Sequence, residues 1–493
     1  MSTTSSSPVD MTDMREAMAT GRATASGLVD QAIERAEAAN PQLNFIAWPT
    51  FERARMQAKE PRSGPLAGVP TLIKDMLPEG GIPASFGSAA LRDFMPPEDA
   101  PYARAITGAG LISIGRSTMP ELGLNAVTES PLFGPTRNPW NLDYTPGGSS
   151  GGGAAAVAAG VVPIAHASDG LGSIRHGAAP CGLVGLKPSR RRNAGEEAFR
   201  SITDLTVNGC VSRTVRDTAA WIEATQTRDP DCLQPIPLVT APIDHRLNIQ
   251  VYSRVMRTGD LPDASVQRVF DEAVALLDRL GHKVAEADLP FAGPVAMELL
   301  GTITEGMFCR RLGMLSQAIG IEVKADDLEH RSVTLIAAGE AISDDRFASA
   351  WTSMEDIVAA YLARLEQIDI WMTPTLSTEI PRIGVFGPDI SWADQKDPLI
   401  DYAGYCWIDN FAGTPSISLP IGFSANGLPV GIQFATRPGG EALLLALAYQ
   451  LEAELQWQRH IPPIWVGAGD GGKFRDSHQD ACCGLGGRGD TLC

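Results

Sequence analysis

Two serines sit inside the run Pro146-Gly147-Gly148-Ser149-Ser150-Gly151-Gly152-Gly153, and a third, Ser173, follows in Asp169-Gly170-Leu171-Gly172-Ser173-Ile174-Arg175. Glycines let backbone amides approach a ligand through conformations closed to other residues. A Gly-preceded serine at the head of an apolar helix sits where free N–H groups converge, which suits stabilisation of an oxyanion. An ordinary Ser N-cap has the same local sequence. A serine nucleophile needs a base. His166 and His176 are close enough in sequence to build a Ser-His-Asp relay, and Gly147 to Gly151 fits G-x-S-x-G. That pattern requires a strand directly before it and a helix directly after, and Gly-rich sequence meets it by accident. The alternative base is Lys74, at the end of the apolar run Val69-Pro70-Thr71-Leu72-Ile73. Burial disfavours the ammonium form, and a neutral lysine takes a proton through a bridging serine. A flexible Gly/Ser linker is the bland reading of the loop; its apolar flanks argue against it.

These residues need elements to hold them. Leu28, Val29, Ala32, Ile33 and Ala36 recur at helical spacing, with Pro41 expected to stop that helix. Strands are expected at 69–73, 111–114, 161–165, 249–252, 368–372 and 430–434. Helices are expected around Ala103 and Ile106 and at 154–159, 215–222, 266–280 and 442–451, with mostly helical patterns over 290–365. Alternating strands and helices predict an α/β fold with a sheet covered on both faces. Residues 1–9 are Ser/Thr-rich and expected to fray, whereas 467–493 are Gly-rich and too polar to fold alone, so a disordered tail is expected there.

The chain has 493 residues, 44% of them apolar and 20% charged, enough to bury a large core. Its formal charge of −18 disfavours nucleic acid and anionic membrane as partners. The eight cysteines show no CxxC pair and no zinc-like spacing, so no metal is expected and reduced thiols in the cytoplasm are. Met1 to Asp10 lacks the pattern of a signal peptide. Gly151 to Ala165, rich in Gly and Ala and containing Pro163, reads as loop plus buried helix rather than a membrane span. The G-x-G-x-x-G match at Gly467, Gly469 and Gly472 lacks a surrounding βαβ unit. Arg190-Arg191-Arg192 reads as a solvated turn, Arg488-Gly489-Asp490 as a chance tripeptide, and Cys482, Cys483 and Cys493 carry no assigned role.

Together with Cys181-Gly182-Leu183-Val184-Gly185-Leu186-Lys187-Pro188-Ser189, the Gly/Ser loop and the Asp169–Arg175 segment resemble the amidase-signature family. Lys74-Asp75 after Gly68-Val69-Pro70, Pro415-Ser416-Ile417-Ser418-Leu419-Pro420, and Gly427-Leu428-Pro429-Val430-Gly431-Ile432-Gln433 extend the resemblance over residues 10–465. It implies a mixed central sheet with helices on both faces, in one catalytic domain over 10–466 whose 290–410 region shapes the pocket. Ser173 is then the nucleophile, Ser149 the bridging serine and Lys74 the base, with a cis peptide between Gly148 and Ser149. The oxyanion amides are those of Gly170, Leu171, Gly172 and Ser173, and Ser150, Asp169 and Arg175 support the loop. His176, Tyr405, Cys406 and Trp407 are candidate pocket walls, with Trp351, Met354 and Tyr402 beside them.

Four departures concern the pocket rather than the reaction. Leu171 replaces one of two usual glycines, His176-Gly177 stands where an apolar residue and Pro are common, Arg191 replaces a usual Gly, and Gly153 a usual Ser. Within the family, Asn138-Pro139-Trp140-Asn141-Leu142 and Pro163-Ile164-Ala165-His166 are similar to the 6-aminohexanoate cyclic-dimer hydrolase subgroup. The resemblance implies cofactor-free hydrolysis of small secondary, cyclic or aryl amides through an acyl-enzyme. Carbamates (a urethanase activity), esters, and a role as the A subunit of a tRNA-dependent amidotransferase are the alternatives. A small-molecule amide is the expected partner, and a homodimer the default assembly.

Overall fold

The computed structural model describes residues 10–199, 201 and 203–467. Residues 1–9 and 468–493, which hold the expected frayed start and nearly all of the expected tail, lie outside the described residues. Strands β1 (Ile46–Pro49), β2 (Pro70–Lys74) and β3 (Ile112–Ser117) form a three-stranded sheet in the order β1-β3-β2. The short β4 (Glu129–Ser130) and β5 (Gly134–Pro135) pair with each other. The remaining strands are β6 (Ile164–Asp169), β7 (Val184–Lys187), β8 (Val207–Ser212), β9 (Asn248–Val251), β10 (Lys283–Glu286), β11 (Ile370–Pro374), β12 (Ser416–Phe423) and β13 (Pro429–Ala435). They make one eight-stranded sheet in the order β10-β9-β11-β13-β12-β7-β8-β6. β10, β9 and β11 run parallel; every other pairing is antiparallel, so the sheet is mixed.

Side chains alternate between the two faces of a strand, and the packing follows that period. Ile370 and Met372 pack on one face with the helices Ala264–Arg279 and Glu441–Leu455. Trp371, between them, packs on the other with Gly293–Ile319, Asp344–Leu365 and Trp407–Ala412. At the far end of the sheet Ile164 faces the first layer, while Ala165 and Ala167 pack with the helices Ala25–Leu43 and Gly151–Ala158. Both faces are thus covered, as the alternating pattern predicts. No helix among the described residues is long and apolar enough to cross a membrane.

Three local expectations are corrected. Pro41 does not stop its helix; it lies in the last turn of Ala25–Leu43, which ends at left-handed Asn44 (φ 53°). A proline so near the C-terminus leaves only the final turn to end, and the Asn40 side chain accepts the next two amides, of Phe45 and Ile46. The helix expected at 154–159 starts at Gly151, three positions earlier, and all eight of its residues are buried. Close packing outweighs the poor helix propensity of glycine here: a Cβ on Gly152 would lie 2.4 Å from Thr118 Oγ1. The strand expected at 161–165 begins at Ile164, directly after Pro163, which has no N–H to give to the ladder.

Candidate active site

Lys74 ends β2, and β2 lies along β6. Thr71 Oγ1 donates to the Ile164 carbonyl (2.9 Å), and the Lys74 amide donates to His166 Nδ1 (3.2 Å). The lysine side chain is fully buried and reaches the Gly/Ser loop. Its Nζ donates to Ser149 Oγ at 2.7 Å, Ser150 Oγ at 3.0 Å and Ser168 Oγ at 3.1 Å. Ser149 Oγ in turn donates to Ser173 Oγ at 3.0 Å. The peptide between Gly148 and Ser149 is cis. Burial lowers the Lys74 pKa from 10.5 to about 7, with the Asp169 charge opposing the shift. A lysine poised near neutrality, linked by one hydroxyl to a second, half-buried hydroxyl, has the composition of a proton relay.

The histidine alternative does not assemble: among the described residues neither His166 nor His176 hydrogen-bonds to Ser149 or Ser173. His166 accepts the Lys74 amide at Nδ1, so its Nε2–H donates to Asn208 Oδ1 at 3.1 Å. Burial lowers its pKa to about 3, keeping the ring neutral. Both ring nitrogens are therefore occupied away from the serines, and His166 supports the lysine strand.

Ser173 is presented by a tight loop between β6 and the helix Arg175–Cys181. Gly172 adopts φ +131°, a conformation suited to glycine. Asp169 folds this loop around its carboxylate: Oδ1 accepts the Gly172 amide at 2.6 Å and Oδ2 the Ile174 amide at 3.1 Å. Of the four amides implied for an oxyanion hole, that of Gly172 is thus already occupied. Those of Gly170, Leu171 and Ser173 have no protein acceptor among the described residues. Burial alone would raise the Asp169 pKa, but Arg175 outweighs it and holds the carboxyl well below its usual range.

Arg175 joins this loop to the C-terminal strands. Its Nη1 donates to the Cys406 carbonyl, Asp409 Oδ2, Ser416 Oγ and Gln433 Oε1, all within 3.0 Å, and its Nη2 donates to Asn410 Oδ1 at 2.7 Å. Ser150 Oγ donates to the Ser168 carbonyl at 3.2 Å, holding the Gly/Ser loop against β6. Sequence reasoning missed Ser168, Asp409, Asn410, Ser416 and Gln433 as members of the site. The last two lie inside the C-terminal motifs already quoted, and Ser168 immediately precedes Asp169. Asp409 and Asn410 carry no local signal.

A cavity of about 480 Å³ opens over Ser173 and Ser149. Its walls include Leu171, Leu300, Met307, Phe308, Trp392 and Trp407, and no Asp, Glu, Lys or Arg lines it among the described residues. Of the four candidate wall residues, His176 and Trp407 line this space and two do not. Tyr405 turns away to donate to the Ser253 carbonyl at 2.5 Å. The Cys406 thiol points to the Thr375 carbonyl, while its own carbonyl accepts from Arg175. Trp351, Met354 and Tyr402 belong to hydrophobic packing outside the lining: Trp351 is tilted on Phe411, Met354 is fully buried, and Tyr402 stacks on Phe386.

A family model described as Amidase matches residues 27–445. AmiC of Mycobacterium tuberculosis is 36% identical over 461 residues, covering 92% of this chain and 97% of its own. The 6-aminohexanoate-cyclic-dimer hydrolase of Paenarthrobacter ureafaciens is 31% identical over 483 residues, covering 92% and 96%. A solved 6-aminohexanoate cyclic dimer hydrolase, complexed with substrate, superposes with a TM-score of 0.85 at 29% identity, covering 92% of this chain and 98% of that one. A bacterial aryl acylamidase of the amidase-signature enzymes superposes with a TM-score of 0.81 at 26% identity, again covering 92% and 98%.

Proposed function

The chain belongs to the amidase (amidase-signature) family of carbon–nitrogen hydrolases, and from that premise we propose that it cleaves small, uncharged secondary, cyclic or aryl amides through an acyl-enzyme on Ser173. The observation that carries the reading is the chain Ser173 Oγ–Ser149 Oγ–Lys74 Nζ, with steps of 3.0 and 2.7 Å. Neutral Lys74 takes the Ser149 proton as Ser149 takes that of Ser173. Ser173 Oγ bonds to the substrate carbonyl carbon, and the amides of Gly170, Leu171 and Ser173 receive the oxyanion. One such donor is worth roughly 3–4 kcal/mol. The C–N bond then breaks, and the proton returns through Ser149 to the leaving nitrogen. Water repeats the sequence on the ester, releasing the acid and restoring Ser173.

No charged side chain lines the cavity among the described residues, which favours neutral substrates. Glutamine, the substrate of the amidotransferase alternative, carries an ammonium and a carboxylate, and burying either without a partner is costly. Carbamates and esters carry the same reacting carbonyl and enter the same machinery.

Amine release from 6-aminohexanoate cyclic dimer, an anilide and glutamine, with Ser173→Ala as the blank, tests the reading. Release from the cyclic dimer or the anilide that disappears in the variant supports it. Activity that survives Ser173→Ala removes the nucleophile assignment, and a preference for glutamine removes the substrate class.

A further inference from the structure

Two buried polar atoms on residues of the cavity wall, His176 Nε2 and Trp407 Nε1, are left without a partner among the described residues, and the first belongs to the ring packed against the Ser173 loop. His176 is 4% exposed and lines the cavity. Its ring is hydrogen-bonded to the Ala403 backbone, while Nε2 is buried and has no partner among the described residues. Buried polar atoms are nearly always paired, so an orphan one needs an explanation. Its position is well defined. A Cβ on Gly172 would fall 2.1 Å from His176 Cε1 and 2.4 Å from Nε2. Gly172 immediately precedes Ser173, so the ring that carries the orphan nitrogen packs against the loop that presents Ser173.

The chemistry of that atom follows from its surroundings. A bond to Ala403 that favours the protonated ring is one in which the ring donates to the carbonyl, which places the hydrogen on Nδ1. Burial, reinforced by the Arg175 charge, lowers the pKa from 6.5 to about 3 and keeps the imidazole neutral. Nε2 therefore presents a lone pair and no hydrogen. What would complete it is a donor.

A neutral, apolar amide brings one donor beside its carbonyl, its own N–H. The corresponding ester or N,N-disubstituted amide brings none. We propose that His176 Nε2 accepts the N–H of the scissile amide, making the site selective for primary and secondary amides over matching esters and tertiary amides. This rests on Ser173 being the nucleophile. The residue acts on specificity: a ligand that lacks the N–H leaves the buried acceptor unpaired, and sites of that kind discriminate strongly.

The test compares kcat/KM for an anilide and the phenyl ester of the same acid, in wild type, His176→Phe and His176→Gln. Phe keeps a ring and removes the acceptor; Gln restores a carbonyl oxygen. The amide-to-ester ratio is expected to fall about 10- to 100-fold in His176→Phe and to recover partly in His176→Gln. An unchanged ratio, whether both rates fall together or neither does, overturns the proposal, because a ring that only supports Ser173 affects both substrates alike. Should His176→Phe not fold, the wild type decides with the anilide and its N-methyl derivative. Comparable kcat/KM overturns the proposal, and a loss of about tenfold or more on methylation upholds it. Ser173→Ala run alongside keeps the readings apart: anilide hydrolysis that survives it sinks the nucleophile, whereas an unchanged ratio sinks only the role of His176.

Discussion

Asp169 and Arg175 meet through two parallel hydrogen bonds, Nε to Oδ2 at 2.9 Å and Nη2 to Oδ1 at 2.8 Å, with Ser173 on the loop between them. Both side chains are fully buried. The same carboxylate holds the amides of Gly172 and Ile174, and the same guanidinium reaches Asp409. The position of Ser173 and the joining of distant strands are therefore one network. Removing the cation strands two buried carboxylates. Arg175→Met is expected to cost about 3–5 kcal/mol in urea unfolding. Kinetics on whatever folds should show a lower kcat, since the loop loses its anchor.

Lys74 sets the pH dependence of the proposed reaction. Its pKa of about 7 means that the relay base is protonated, and blocked, below neutrality. kcat/KM for a neutral anilide should rise with pH along an acid limb centred about 7 and level off above it. His166, already neutral in this range, contributes nothing to that limb. A flat profile from pH 5 to about 9 would remove Lys74 as the base.

The same lysine makes stability depend on pH with a definite sign. Folded, it titrates at about 7; unfolded, near its ordinary 10.5. Between those values the unfolded chain binds more protons, so folding becomes more favourable as pH rises. Lys74→Met removes this dependence. The difference in unfolding free energy, wild type minus variant, should grow by about 1.4 kcal/mol per pH unit across that window. Chemical denaturation at several pH values measures it, and a difference that shrinks with rising pH contradicts the assignment.

Gly172→Ala tests the loop by a route that removes no polar group. The position has φ +131°, and an added Cβ would lie 2.1 Å from the His176 ring. Either the ring or the loop must shift. A loss of more than about 1 kcal/mol is expected, read as a lower Tm. kcat/KM should fall as well, because Gly172 adjoins Ser173. A variant as stable and active as wild type would show that the loop tolerates rearrangement.

Much of this site is legible in the sequence because its chemistry sits in short runs. Lys74 ends an apolar strand, and Ser149 and Ser173 are set off by glycines. Asp409 and Asn410 are different: they reach Arg175 from 234 and 235 positions away, and nothing local marks such a contact. Facing is equally hidden. Tyr405, Cys406 and Trp407 are consecutive, yet only Trp407 lines the cavity, because the chain turns into the helix Trp407–Ala412 at that point. At the level of the fold, the alternation of strands and helices follows from hydrophobic period. β7 and β8 escape that reading since each carries an internal glycine, Gly185 and Gly209, that interrupts the apolar period. The strand order is a matter of long-range pairing that no local period encodes.

One wall of the cavity, from Trp392 to Trp407, lies between β11 and β12; another, the helix Gly293–Ile319, leaves the sheet after its outermost strand, β10, and the chain rejoins it at β11. Between those two points nothing contributes to the eight-stranded ladder, so this stretch is free to drift in length and shape while strand register, the lysine and both serines stay fixed. Innovation in what the protein accepts has a place to accumulate that does not touch how it reacts. A graft of this segment together with the stretch from Trp392 to Trp407, between two members of the family, is the natural unit for transplanting substrate preference.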